Sequence, residues 1–241
     1  MSPGPARSIT LRCSIAALLA LPALIAAPGR SLAQRPVAPR FGGISAIVAI
    51  PRDNWGDLTG IGIGGELVSS APLTGGGPLR LRSDLALLYH LNKDVAVPAD
   101  HMQPGDQITL GTTASMFHVA LGPEFSSPTG RTRTYLFGTV GYSSMWARTS
   151  AGGRTSGGAV PYDFQISKHT SSFAWSAGGG VRIMRNRGRV LDIGAEYRRS
   201  IGVNVLLPTD VYDDGVNVTY GESKIDANQL IVRLGFSRIG R

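Results

Sequence analysis

The 241-residue sequence predicts an all-β fold, an eight-stranded antiparallel up-and-down transmembrane β-barrel, on three observations. Eight segments between residues 41 and 237 alternate apolar and polar residues with period two, the spacing of strands that face two environments. No segment after residue 33 reaches the ~20 apolar residues of a spanning helix, so a membrane-spanning form must be built of strands. Beyond the first connection, which is short, the connections alternate short (70–78, 126–131, 185–189) and long (91–106, 149–172, 206–226), as in a meander with one kind of connection at each end.

Arg7 and Arg12, an apolar run from Ile15 to Ala27 broken by Pro22, and Ser31-Leu-Ala33 before Gln34 form a secretory leader with cleavage after Ala33. Cys13 precedes the apolar run, the wrong end for lipid attachment, and no cysteine follows. Residues 34–40 are a Pro-rich lead-in, and 41–241 form one barrel domain. Removing the leader leaves 21 basic and 16 acidic residues. Export and the lack of a basic helix or RNA-binding aromatic signature exclude nucleic acid as a partner.

Strand one (41–50) sets Ile44, Ala46, Val48 and Ile50 against Gly43, Ser45 and Ala49, and 51–57 is read as a turn. Strand two (58–69) sets Ile61, Ile63 and Leu67 against Gly60, Gly62, Gly64 and Glu66. Strand three sets Leu79, Leu81, Leu85, Leu87 and Tyr89 against Arg80, Arg82, Asp84 and His90. Strand four (107–125) opposes Phe117, Val119 and Leu121 to His118, Gly122 and Glu124. Strand five (134–147) carries Tyr135, Phe137, Tyr142 and Trp146, and the pattern leaves its faces open. Strand six sets Phe173, Trp175, Val181 and Ile183 against Ser176, Gly178, Gly180 and Arg182. Strand seven sets Leu191, Ile193, Ala195 and Tyr197 against Asp192, Gly194, Glu196 and Arg198. The closing strand (228–236) puts Leu230, Val232, Leu234 and Phe236 on one face and Gln229, Ile231, Arg233 and Gly235 on the other, and is read as the terminal assembly strand. Residues 91–106, 149–172 and 206–226 are read as long polar loops, and no helix is expected in the mature chain.

Alternation alone fits a soluble barrel as well as a membrane one. The strands reach the ~9–11 residues that cross a bilayer. The polar face mixes glycine with Glu66, Arg80, Arg82, Asp84, Glu124, Arg182, Asp192, Glu196, Arg198 and Arg233. Small residues beside long charged ones suit the narrow interior of an eight-stranded barrel, where those ten charges are expected to pair and to fill it. Tyr89, Trp146, Trp175, Tyr197 and Phe236 lie towards strand ends, where aromatic girdles sit.

The runs His118-Val-Ala-Leu-Gly-Pro-Glu-Phe125, Pro128-Thr-Gly130, Tyr135-Leu-Phe-Gly-Thr-Val-Gly-Tyr142, Ala174-Trp-Ser-Ala-Gly-Gly-Gly-Val181 and Leu191-Asp-Ile-Gly-Ala-Glu-Tyr197 resemble the outer-membrane-protein beta-barrel domain family, the OmpA- and OmpX-like eight-stranded barrels. The resemblance spans about residues 40–237 and implies a bacterial outer membrane, lipid and lipopolysaccharide as surroundings, and the barrel assembly machinery as a partner during insertion. The family ends on its terminal aromatic, whereas Ser237-Arg-Ile-Gly-Arg241 follows Phe236 here.

Signals for chemistry are weak. Gly60-Ile-Gly-Ile-Gly-Gly65 fits G-x-G-x-x-G but runs into a strand where a nucleotide site needs a helix. Asp210, Asp213, Asp214, Glu222 and Asp226 do not have calcium-loop spacing. His90, His101, His118 and His169 show no ligand spacing, and no lipid-facing cluster for an outer-leaflet lipid enzyme is visible. No cofactor or metal is expected. The expected role is non-enzymatic, in envelope integrity or surface interaction through the long loops, with Tyr162, Phe164, Tyr212 and Tyr220 as contacts. A lipid-modifying enzyme and a narrow pore or small-ligand carrier are the alternatives.

Overall fold

The computed structural model describes residues 40–73, 77–98, 102, 106–127, 130–154, 161–185, 188–213 and 218–240. The leader, its cleavage site and the lead-in up to residue 39 lie outside the described residues. The strands are β1 (Arg40–Arg52), β2 (Gly62–Pro72), β3 (Leu79–Ala96), β4 (Gln107–Ser126), β5 (Thr132–Arg154), β6 (Pro161–Met184), β7 (Arg189–Val205), β8 (Val211–Asp213), β9 (Val218–Tyr220) and β10 (Ser223–Gly240). Eight of them close a barrel in the order β1-β10-β7-β6-β5-β4-β3-β2, and β8 and β9 form a separate hairpin. Each barrel neighbour is antiparallel, and β1 meets β10 from Arg40↔Gly240 to Arg52↔Asn228. The residues after Phe236 therefore continue the seam: Ser237, Arg238 and Ile239 pair with Gly43, Gly42 and Phe41.

One end of the barrel, the turn end, holds the start of β1, the end of β10 and the β2–β3, β4–β5 and β6–β7 connections. The other, the loop end, holds the β1–β2, β3–β4, β5–β6 and β7–β10 connections.

Three sequence expectations change. The long loops are largely strand: β5 and β6 pair out to Arg154↔Pro161, β3 runs to Ala96, and β10 starts at Ser223. Residues 51–57 are not a simple turn, and the expectation of no helix in the mature chain fails as well, because Asp53–Leu58 form a short helix, α1. Asp53 enters it at φ 52, a left-handed conformation that Asp tolerates, and the chain reverses into the barrel. Thr59 closes α1, its amide and hydroxyl both donating to the Trp55 carbonyl at 3.1 and 3.0 Å.

The aromatic residues of β5 divide between its faces. Tyr135 and Phe137 point inward, and Tyr142 and Trp146 point outward. The outward face of the wall carries Ile44, Leu67, Leu87, Leu136, Val140, Phe173, Leu234 and Phe236, all more than half exposed. The inward face carries the ten charged residues, each no more than 5% exposed.

Candidate functional site: the sealed lumen and its two mouths

The lumen is built in layers, and alternation delivers each side chain to its layer. Nearest the turn end, Phe41 lies under the guanidinium groups of Arg80 and Arg182, 4.7 and 4.9 Å from its ring centroid. Above it Glu124 is the hub. Its carboxylate accepts from Arg182 at 2.6 and 2.8 Å, from the Ser70 hydroxyl at 2.8 Å and from Arg82 at 3.4 Å, and Arg80 lies 3.5 Å away. Arg82 also donates to Asp84, and Arg182 to Asp192, which takes the Tyr135 hydroxyl at 2.6 Å. This cluster holds three arginines and three carboxylates. A second holds two of each: Arg198 bridges Glu66 and Glu196 at 3.2 and 2.6 Å, and Arg233 bridges the same two carboxylates.

The charges therefore cancel inside each cluster, and that makes burial tolerable. An unpaired ion in such a place costs several kcal/mol, whereas a matched, hydrogen-bonded pair roughly breaks even. Glycine makes the room. A Cβ at Gly180 or Gly194 would stand 2.6 or 2.7 Å from the Tyr135 hydroxyl, so these two positions let that phenol reach Asp192.

Towards the loop end the lumen changes chemistry. His118, Ser143 and Ser200 form a buried polar rung, with Nδ1 of His118 2.9 Å from the Ser143 hydroxyl, to which Ser200 donates at 3.0 Å. Above it Ile47, Ala49, Leu88, Met116, Met145, Val203, Val205 and Ile231 line an apolar layer into which α1 inserts Trp55, fully buried, and Leu58. The Trp55 ring meets the His90 ring edge-on at 5.4 Å, and Lys93 holds the Gly56 carbonyl at 2.5 Å. Trp55 was missed in sequence because a lone aromatic in a Pro-Asn-Gly segment reads as a turn residue.

Beyond α1 the barrel rises into a second small core of Val97, Ile108, Leu110, Ala151, Leu206 and Val211, with Phe164, Ile166 and Val218 packed against it. Phe164 stacks on Tyr220 at 5.7 Å, Tyr212 is exposed on the β8–β9 hairpin, and the side chain of Tyr162 lies outside the described residues. The loop acids do not converge. Asp210 accepts from the Leu207 amide and the Ser223 hydroxyl, and Glu222 pairs with Lys168. Asp226 pairs with Arg199, two residues beyond the Trp175–Arg199–Asn228 rung towards the loop end. Partial burial raises the Asp226 pKa, but the Gly202 amide and Arg199 outweigh it and hold the carboxyl below its ordinary value. Asp214 and His101 lie outside the described residues, and among the described residues no group of His, Cys, Asp and Glu could hold a metal ion.

The expectation that no polar cluster sits on the outer wall is overturned. Ser144 and His169 face outward on β5 and β6, with the hydroxyl 2.8 Å from Nε2, Ser171 3.5 Å from Ser144, and the Trp146 ring stacked on the imidazole at 5.0 Å. Twenty-five residues separate the pair, and only the β5–β6 register, which passes through residues read as loop, joins them.

No protein-family model matches the chain, and no curated protein matches it. Among solved structures it is similar to Neisserial surface protein A, at 12% identity and a TM-score of 0.44, covering 83% of this chain and 96% of that one. It is also similar to Ail of Yersinia pestis in complex with the heparin analogue sucrose octasulfate, at 12% identity and a TM-score of 0.43, over 85% and 100%. A major outer membrane protein from Thermus thermophilus is similar at 14% identity and a TM-score of 0.41, over 83% and 99%. The fold rests on the chain's own strand order and register: an eight-stranded antiparallel barrel with an apolar outer wall and a charged, closed lumen.

Proposed function

We propose that the chain is a non-enzymatic barrel of a bacterial outer membrane, with its turn end in the periplasm and its loop end outside. The role assigned is envelope integrity or surface interaction through the β5–β6 and β8–β9 hairpins. One observation carries the reading: the wall is apolar where the lumen is charged. Twenty-four large hydrophobic side chains are exposed among the described residues, most of them on this wall. Covering each with hydrocarbon gains ~1 kcal/mol, on the order of 20 kcal/mol together. That exceeds the ~5–15 kcal/mol net stability of an ordinary domain. Lipopolysaccharide and lipid are then the surroundings, and the assembly machinery reads the β10 strand during insertion. The Phe41 floor, the paired charges and the Trp55 plug support a closed barrel over a pore or carrier.

The test is electrophoretic mobility in SDS, with and without boiling, of protein extracted from outer-membrane fractions. A faster unboiled band is expected. A soluble periplasmic protein whose mobility boiling does not change would overturn the reading.

The Ser144–His169 pair favours a second reading, a hydrolase of outer-leaflet lipid esters. Ser144 would attack the acyl carbonyl while His169 takes its proton and returns it to the alcohol that leaves as the ester C–O bond breaks. Water activated by His169 would then release the fatty acid from acyl-Ser144. Ester hydrolysis in lipid vesicles that is lost in Ser144→Ala would establish it, and equal rates in the two proteins would remove it.

A further inference from the structure

Fourteen of the sixteen acidic residues fall among the described residues, and all fourteen lie in the lumen or towards the loop end. Among the described residues, the turn-end segments 40–44, 72–73, 77–80, 125–127, 130–134, 183–185, 188–191 and 234–240 contain no Asp or Glu, yet they hold six arginines besides lumen-facing Arg80 and no lysine. The described residues of the loop-end segments 50–61, 91–114, 147–172 and 199–228 hold nine acids and seven bases. The molecule is thus polarised along its axis around a neutral lumen.

Three of these arginines form a row on the outer wall. Arg189 on β7 and Arg238 on β10 are directly paired, and Arg238 in turn faces Gly42 on β1, two residues from Arg40. All three are exposed. Like charges directly opposite across a ladder repel, and no acidic side chain among the described residues offsets them. Space is left over the row. A Cβ at Gly42 would meet nothing within 4 Å, and Arg40, Gly42, Ser69, Gly188 and Arg238 line a rim cleft of about 990 Å³. Immediately towards the middle of the wall on the same face stand Phe236 and Ile44, 68% and 62% exposed.

Resting on the membrane reading above, we propose that this row is a binding site for the phosphodiester of an anionic phospholipid in the turn-end leaflet. Guanidinium groups bind phosphate oxygens in bidentate fashion, and they tolerate partial desolvation better than ammonium does. A lipid whose acyl chains lie along Phe236 and Ile44 brings its phosphate to the level of Arg238 and Arg40. A soluble polyanion would have no use for the adjoining apolar surface. The acidic surplus at the other end disfavours the same lipid there, so the preference belongs to one leaflet.

The test reconstitutes the full-length mature protein into phosphatidylcholine bilayers and measures the association of spin-labelled phosphatidylglycerol and phosphatidylcholine by electron paramagnetic resonance. The wild type is expected to favour phosphatidylglycerol by at least about threefold, since each arginine near an anionic surface contributes ~1 kcal/mol. Arg40→Gln/Arg189→Gln/Arg238→Gln should keep the heat-dependent gel shift and lose the preference. The corresponding triple lysine variant should keep part of it, and Arg52→Gln/Arg148→Gln/Arg199→Gln at the loop end should leave it intact. Equal association of the two lipids with wild type, or an unchanged preference in the triple glutamine variant, overturns the proposal. Loss of the preference on adding inorganic phosphate at constant ionic strength overturns the lipid as the source and leaves a general phosphate site. Failure to enter phosphatidylcholine bilayers at all is a different result, because it removes the membrane reading itself.

Discussion

The turn-end and loop-end halves of the barrel share the same strands yet solve opposite problems. In the turn-end half of β5 the outward residues are Leu136, Val140 and Tyr142, and the inward ones Tyr135, Phe137, Thr139 and Ser143. Past Trp146 the polarity reverses: Arg148 and Ser150 face out, and Ala147 and Ala151 face in. β4 reverses likewise, from Phe125 outside and Glu124 inside to Thr109 outside and Leu110 and Ile108 inside. On the membrane reading, this reversal marks the level at which the medium outside the wall changes from hydrocarbon to water. A wall covered by hydrocarbon leaves its polar residues to the lumen, where they must be paired. A wall in water needs an ordinary apolar core, and Trp55 marks the level at which one filling replaces the other.

The largest expected effect breaks the charged half. Glu124→Ala leaves three buried arginines facing two carboxylates and should cost ~3–5 kcal/mol, as breaking a buried pair does. It should be read as a large drop in the temperature at which the folded gel band is lost. Arg82→Ala and Glu196→Ala should each lower that midpoint as well, and three unchanged midpoints would remove the paired-charge account. Breaking the apolar half comes next. Trp55→Ala empties the plug and should cost about 3 kcal/mol by cavity formation; it should also admit small water-soluble probes to the loop-end mouth. A smaller effect sharpens the comparison. Tyr135→Phe removes one hydrogen bond to Asp192 without stranding a charge and should cost about 1–2 kcal/mol. Least of all, Lys168→Ala removes the solvent-exposed pair with Glu222 and should change stability by less than about 1 kcal/mol. A Lys168 effect equal to that of Glu124 would show that burial is not what gives the lumen pairs their importance.

Much of the turn-end half is legible in sequence, because an apolar outer wall and a charged lumen make alternation sharp. The faces of β2, β3, β4, β6, β7 and β10 follow directly from residues such as Leu85 and Asp84, or Ile193 and Asp192. The loop-end half is not, for the reason the comparison gives. There the outward residues are Ser150, Gln165 and Ser167 and the inward ones Ala151, Ile166 and Phe164, a weak alternation in the opposite sense that looks like loop. β5 spans both regimes, so its aromatics fall on both faces and no single pattern assigns them. The Ser144–His169 pair and the Arg189–Arg238 row depend on cross-strand register, which local periodicity does not carry. The charges of the lumen were visible one by one, but their division into two neutral clusters was not.

On the membrane reading, lipid meets the outer wall and never the lumen. That reading is tested most directly by single-tryptophan proteins, each keeping Trp55, Trp146 or Trp175 and carrying phenylalanine at the other two positions. Each is folded into bilayers of brominated phosphatidylcholine, and its fluorescence is compared with that in the unbrominated lipid. Strong quenching of Trp146 and Trp175, with Trp55 unaffected, is the predicted result. Quenching of Trp55 as strong as that of Trp146, or of none of the three, would contradict it.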